Sequence, residues 1–178
     1  MGFQKQRGKT VAFYGHTSAE FDCAFSRHGI PLREMQDLYQ ILLISIINDQ
    51  IRDGFARFAT TAKEGVNSWL SQYIAEQKRD CVGRQLELSL IVPSNPSLSD
   101  PARADFSSAD HIIHMNTNDE PSMCEQLLIL ADHILLFSFT PTKEAILQSA
   151  ISYGKKAIIH TPYELMSSYI KRKKGKGS

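Results

Sequence analysis

Thr60-Thr61-Ala62-Lys63-Glu64-Gly65 and Phe139-Thr140-Pro141-Thr142 each set a threonine between an apolar run and a helical pattern. The chemistry open to such a segment is anion binding by the main chain. The first N–H groups of a helix have no partner inside it, and the aligned peptide dipoles leave partial positive charge there. Lys63 would add a full charge to the first segment, and Gly65 would admit close approach of a ligand or a strand. Gly15-His16-Thr17-Ser18, after the first apolar run, is a Gly-x-Thr turn of a common punctuating type, with Gly15, His16 and Thr17 as further candidates. Asn116 with Thr117, and Thr140 and Thr142 with Glu144, follow later apolar runs and complete the candidate set of Gly15, His16, Thr17, Thr60, Thr61, Lys63, Gly65, Asn116, Thr140 and Thr142. Helix capping by threonine and close packing at glycine account for the same residues without a ligand, so the local pattern supports both uses.

Other chemistries lack their residues. There is no Gly-x-Ser-x-Gly elbow, no His-Glu-x-x-His pair and no Walker loop, so catalysis is not indicated. His28, His111, His114, His133 and His160 have no metal-ligand spacing, so they read as structural and no metal is expected. Cys23, Cys81 and Cys124 are odd in number and scattered, which suits reduced thiols and a cytoplasmic setting. A formal net charge of +1 gives no whole-protein field toward nucleic acid. Lys171 to Lys176, with five basic residues in six, is the one stretch that could contact phosphates, and such endings are usually solvated and disordered. The apolar run 41–47 is too short for a bilayer and the first residues lack a signal-peptide core, so no membrane partner is expected.

Periodicity supplies the elements that must position the candidates. Thr10 to Tyr14 reads as a buried strand, followed by a loop of weak helical character to Pro31. Met35, Leu38, Leu42 and Ile46, thickened by Tyr39, Leu43 and Ile47, predict a long helix from Leu32 to about Asp53, stopped by Gly54. Its apolar surplus is compatible with a homodimer face, although core packing explains much of it. Phe55 to Ala59 reads as a second strand, and Val66, Trp69, Leu70, Tyr73 and Ile74 predict a helix that Thr61 and Glu64 open as a capping box. Strands follow at Leu86 to Pro93, His111 to Met115, His133 to Phe139 and Ala157 to His160, with a short helical segment over 102–109. Ser122 with Glu125, Thr140 with Pro141, and Thr161-Pro162-Tyr163-Glu164 are read as the starts of the three later helices. Alternation of this sort calls for an α/β fold: a mostly parallel sheet of five to six strands with helices on both faces, spanning residues 1–170, ahead of a basic tail at 171–178.

The order of these parts resembles the SLOG superfamily, closest to its YpsA-like branch. Phe58, Gly65 and Trp69 match the branch's Phe-x-Ser-Gly-x-Ala-x-Gly-x-Asp turn and the tryptophan after it. Thr60 is close to its serine, Thr61 stands for a glycine, Asn67 for the aspartate and Gln72 for a usual glutamate. Ala109-Asp110 leads into the fourth strand as in the family, Glu125-Gln126 replaces an arginine-asparagine pair, and Thr142 alone matches the Gly-Gly-Thr turn. The resemblance implies a single Rossmann-like three-layer domain that binds, without turning over, a nucleotide or nucleotide-derived small molecule, with no further cofactor. The anion would rest near Thr61 and Lys63, and Phe139 and Tyr14 are candidates for stacking. Two alternatives stay open: a phosphoribohydrolase like the LOG branch, with Glu144 near the relevant turn, and an interaction module for protein or DNA whose pocket has decayed.

Overall fold

The computed structural model describes residues 8–80, 85–94, 106–107 and 109–175. Six strands form one parallel sheet in the order β4-β3-β2-β1-β5-β6. They are β1 (Thr10–Gly15), β2 (Arg57–Thr61), β3 (Glu87–Val92), β4 (His111–His114), β5 (His133–Phe137) and β6 (Lys156–His160). The helices are α1 (Ser18–Phe25), α2 (Leu32–Arg52), α3 (Val66–Asp80), α4 (Glu120–Leu130), α5 (Ala145–Ser152) and α6 (Pro162–Gly175). The α/β class and the flanked parallel sheet are as the alternation of patterns requires.

Strand alternation builds two cores, because successive side chains leave opposite faces of the sheet. Val11 and Phe13 meet Phe21, Tyr39, Leu43, Leu70 and Met166 on the face covered by α1, α2, α3 and α6. Ala12 and Tyr14 meet Leu127, Leu128, Ile146 and Ala150 on the face covered by α4 and α5. Most of the run 41–47 serves the first core: Leu43 and Ile47 are fully buried, Leu42 and Ile46 pack against them, and Ile41 stays 60% exposed. Asp110, ahead of β4, ties neighbouring strands by accepting from Leu88 N at 2.7 Å and Lys78 Nζ at 2.5 Å. Burial opposes its ionisation, but the Lys78 and Leu88 bonds prevail and hold its carboxyl below the ordinary range.

Several local expectations are corrected. The segment after β1 is a true helix, α1, opened by a capping box in which Thr17 accepts from Glu20 N and Glu20 accepts from Thr17 N. Thr61 does not cap α3; it is the last residue of β2, and the helix begins five residues later at Val66. α4 is capped by Asp119 and not by Ser122, whose N–H and hydroxyl both donate to the Asp119 carboxylate. Thr140 makes no side-chain cap; Pro141–Lys143 form a single 3-10 turn and α5 starts beyond it. α6 runs on through Gly175, and within its last residues Lys173 pairs with Glu34 at 2.6 Å. The helical segment expected over 102–109 and Cys81 lie mostly or wholly outside the described residues. Among the described residues no helix is long and apolar enough to cross a membrane.

Candidate functional site

The chain builds the sheet outward from β1 to β4 and then returns to place β5 on the other side of β1. At such a reversal the connections after the two central strands leave in opposite directions, and a crevice opens at their carboxyl ends. A cavity of about 240 Å³ lies there, lined by the ends of β1 and β5 and the starts of α4 and α5. A second, of about 350 Å³, lies beside it at the ends of β2 and β3. Lys63 and Glu120 line both and stand between them.

The first cavity is densely polar. Lys63 Nζ donates to Tyr14 Oη at 3.0 Å and to Glu120 Oε1 at 3.1 Å, and lies 4.7 Å from the centre of the Tyr14 ring. Glu144 Oε1 accepts from Ser138 Oγ at 2.6 Å. Glu20, Glu120 and Glu144 therefore face one lysine. Partial burial, with the Glu144 charge adding to it, raises the Glu120 carboxyl above the usual carboxylate range. Glu20 goes the other way: burial opposes ionisation, but the bonds from the Thr17 backbone and hydroxyl prevail and hold it low. Burial pushes the Cys124 thiol up to about 12, so it is an inert wall of the cavity.

His16 reaches this cavity only by its edge, being 4% exposed. Its Nδ1 lies 2.9 Å from the Thr17 carbonyl and its Nε2 3.0 Å from Tyr39 Oη. A carbonyl can only accept, so Nδ1 carries a proton; because burial disfavours the imidazolium, Nε2 is left to accept from the Tyr39 hydroxyl. Phe139 at 4.8 Å and Tyr39 at 5.4 Å pack against it. Burial lowers its pKa below the ordinary histidine value. The unfolded chain thus binds a proton that the folded one refuses. His16 stabilises the fold fully above about pH 6.5, and that contribution is lost as pH falls from there toward its folded pKa. Unfolding free energies from urea titrations between pH 7.5 and 5 are expected to fall with a slope of up to about 1.4 kcal/mol per pH unit for this group. The slope is expected to be shallower in His16→Gln, and an unchanged slope would contradict the assignment.

The other candidates separate into packed and exposed sets. Thr60 and Thr61 are buried and spend their hydroxyls inside the protein: Thr60 Oγ1 donates to Phe13 O at 2.7 Å, and Thr61 Oγ1 accepts from Asn67 Nδ2 at 2.9 Å. Asn67 Oδ1 accepts from Gly15 N at 2.9 Å, which sews β1, β2 and α3 together. Gly15 is needed because a Cβ there would lie 2.5 Å from Val66 Cβ. Gly65, at φ +87°, presses on the His16 and Thr17 backbone. The main chain near residue 61 is correspondingly engaged, with Ala62 N donating to Ile91 O at 2.9 Å and Val66 N to His16 O at 3.2 Å. Glu64, read as half of a capping box for α3, instead accepts from Ser18 N and Ser18 Oγ at the start of α1. Asn116, Thr140 and Thr142 are exposed and line neither cavity. Phe139, a stacking candidate, is absorbed in an aromatic cluster with Phe25 and Tyr163, whereas Tyr14 does line the crevice.

Of the expected residues, then, Gly15, His16 and Lys63 meet at the crevice. Glu20, Glu120, Ser138 and Cys124 were not legible as site residues. Only Glu20 carried a signal, the Thr17-Ser18-Ala19-Glu20 box.

A six-stranded parallel sheet with a cavity where strand order reverses defines a Rossmann-like α/β protein. Among solved structures the chain is similar to TM1055, described as a target of the Northeast Structural Genomics Consortium, with a TM-score of 0.53, 17% identity, and 84% of this chain and 72% of that one covered. At that identity the likeness is one of fold. No protein-family model and no curated protein matches the sequence.

Proposed function

We propose that the protein is a non-catalytic, cytoplasmic binding module for a nucleotide-derived small molecule, of the SLOG type that its sequence resembles. The observation that carries this reading is the polar cavity at the carboxyl ends of β1 and β5, where open parallel sheets take their ligands. Lys63, Ser138, Glu120 and Glu144 offer both donors and acceptors within it. A thermal-shift screen of the full chain against nucleosides, nucleotides and ADP-ribose derivatives tests it. A ligand at a hundred times its Kd adds about 2.7 kcal/mol to the folded state. That corresponds to a rise of roughly 5–10 °C in Tm for a chain of this size. The shift is expected to shrink in Ser138→Ala with Glu144→Gln, and a flat response at millimolar ligand would reject the reading.

A second reading, hydrolysis of the base from a nucleoside monophosphate, draws on one observation. Glu144 is anchored by Ser138 beside Glu120, a carboxyl that holds its proton more tightly than usual, and such a pair can divide acid and base roles. Free base released from AMP, and lost in Glu144→Ala, would establish it.

A further inference from the structure

We propose that the crevice between β1 and β5 selects ligands that carry no phosphate: a neutral or cationic nucleoside-type molecule and not its nucleotide. The inference rests on the reading that a nucleotide-derived molecule occupies this cavity, and narrows it to one chemical class.

At the starts of α1, α3 and α4 the seats a phosphate could use are filled by the chain itself. At the start of α1, Glu64 Oε2 accepts from Ser18 N at 3.3 Å and from the Ser18 hydroxyl, and Glu20 Oε2 accepts from Thr17 N at 2.6 Å. At the start of α4, Asp119 Oδ2 accepts from Ser122 N at 2.9 Å and from Ser122 Oγ at 2.6 Å. The first N–H of α3 donates to the His16 carbonyl. A free phosphate would have to displace carboxylates that are tethered to the same chain and already in place, which is a competition at high effective concentration. The starts of α1 and α4 are thus neutralised from within, whereas that of α5, which lines the cavity, has no side-chain cap and carries the Glu144 carboxylate at its N-cap position.

The cavity wall acts in the same sense. Glu20, Glu120 and Glu144 face one cation, Lys63, whose ammonium is already shared between Glu120 and Tyr14. His16 adds no positive charge, since the ring is buried against Tyr39 and Phe139 and burial disfavours its imidazolium. A phosphate dianion entering here meets like charge, whereas sugar hydroxyls and exocyclic amines are donors that these carboxylates can accept.

The test is isothermal titration calorimetry of the full chain at low ionic strength with adenosine, guanosine and cytidine, each against its own 5′-monophosphate. At least one nucleoside is expected to bind with a Kd about tenfold or more below that of its monophosphate, and added salt is expected to narrow the gap. Glu144→Gln, or Glu120→Gln should the first variant fold poorly, is expected to narrow it from the other side by improving the monophosphate. A monophosphate that binds as tightly as its nucleoside overturns the selectivity and leaves the crevice as the binding site. Heat from none of the six probes overturns both.

Discussion

Gly65→Ala is expected to cost about 2–5 kcal/mol of unfolding free energy, from a left-handed backbone that disfavours a side chain and from overpacking against a rigid neighbour. Gly65 holds φ at +87°, and a Cβ built there would lie 2.7 Å from Thr17 Cα and 2.9 Å from Ser18 N, with the His16 carbonyl nearer still. All three are backbone, so no rotamer change relieves them. Gly54→Ala is the control: φ is +92° there, but nothing lies within 4 Å, so only the conformational cost of about 1–2 kcal/mol applies. Urea denaturation of both variants separates the two contributions. Equal losses would mean that the turn before α3 does not press on the turn before α1.

Asn67→Ala is expected to be of similar size, about 2–5 kcal/mol, because each buried polar group left without a partner costs about 1–3 kcal/mol. The side chain is fully buried and joins Gly15 N to Thr61 Oγ1, so its truncation strands a main-chain donor of β1 and a hydroxyl of β2 together. Chemical denaturation gives the loss directly. Hydrogen exchange at the Gly15 amide adds a local readout, since that N–H is expected to lose protection beyond the global change. A loss under about 1 kcal/mol would show that the three elements are held by packing alone.

These two positions also explain how the sequence resembles a phosphate-binding turn while the tertiary structure uses the turn otherwise. Gly65 and Asn67 keep the shape of the loop between β2 and α3, and Thr60 and Thr61 keep short polar side chains there. What they serve is contact between two turns of the protein: the loop leans on His16 and Thr17, and its polar groups close onto Phe13 and Gly15. Capping patterns misled for a related reason. Thr61 and Glu64 have the spacing of a box, yet Glu64 caps a helix 46 residues away in sequence, at Ser18. Spacing describes what a local pair can do and is silent about a distant donor that competes for the same carboxylate. Where no competitor stood nearby, the same rule succeeded, as at Thr161, whose hydroxyl accepts from Glu164 N at 3.4 Å.

What the chain determined by itself is the succession of the strands and of the helices other than α1, their apolar faces and such stops as Gly54. Hydrophobic periods of 2 and 3.6 residues and glycines such as Gly54 and Gly154 report local geometry that holds whatever the partners are. What only the tertiary structure decided is the composition of the crevice. Tyr14, Lys63, Glu120 and Glu144 come from four separate segments, and they meet because the strand order reverses between β1 and β5. Charge acts through space and not along the chain, so the acidic character of that cavity exists only once the sheet has closed around it.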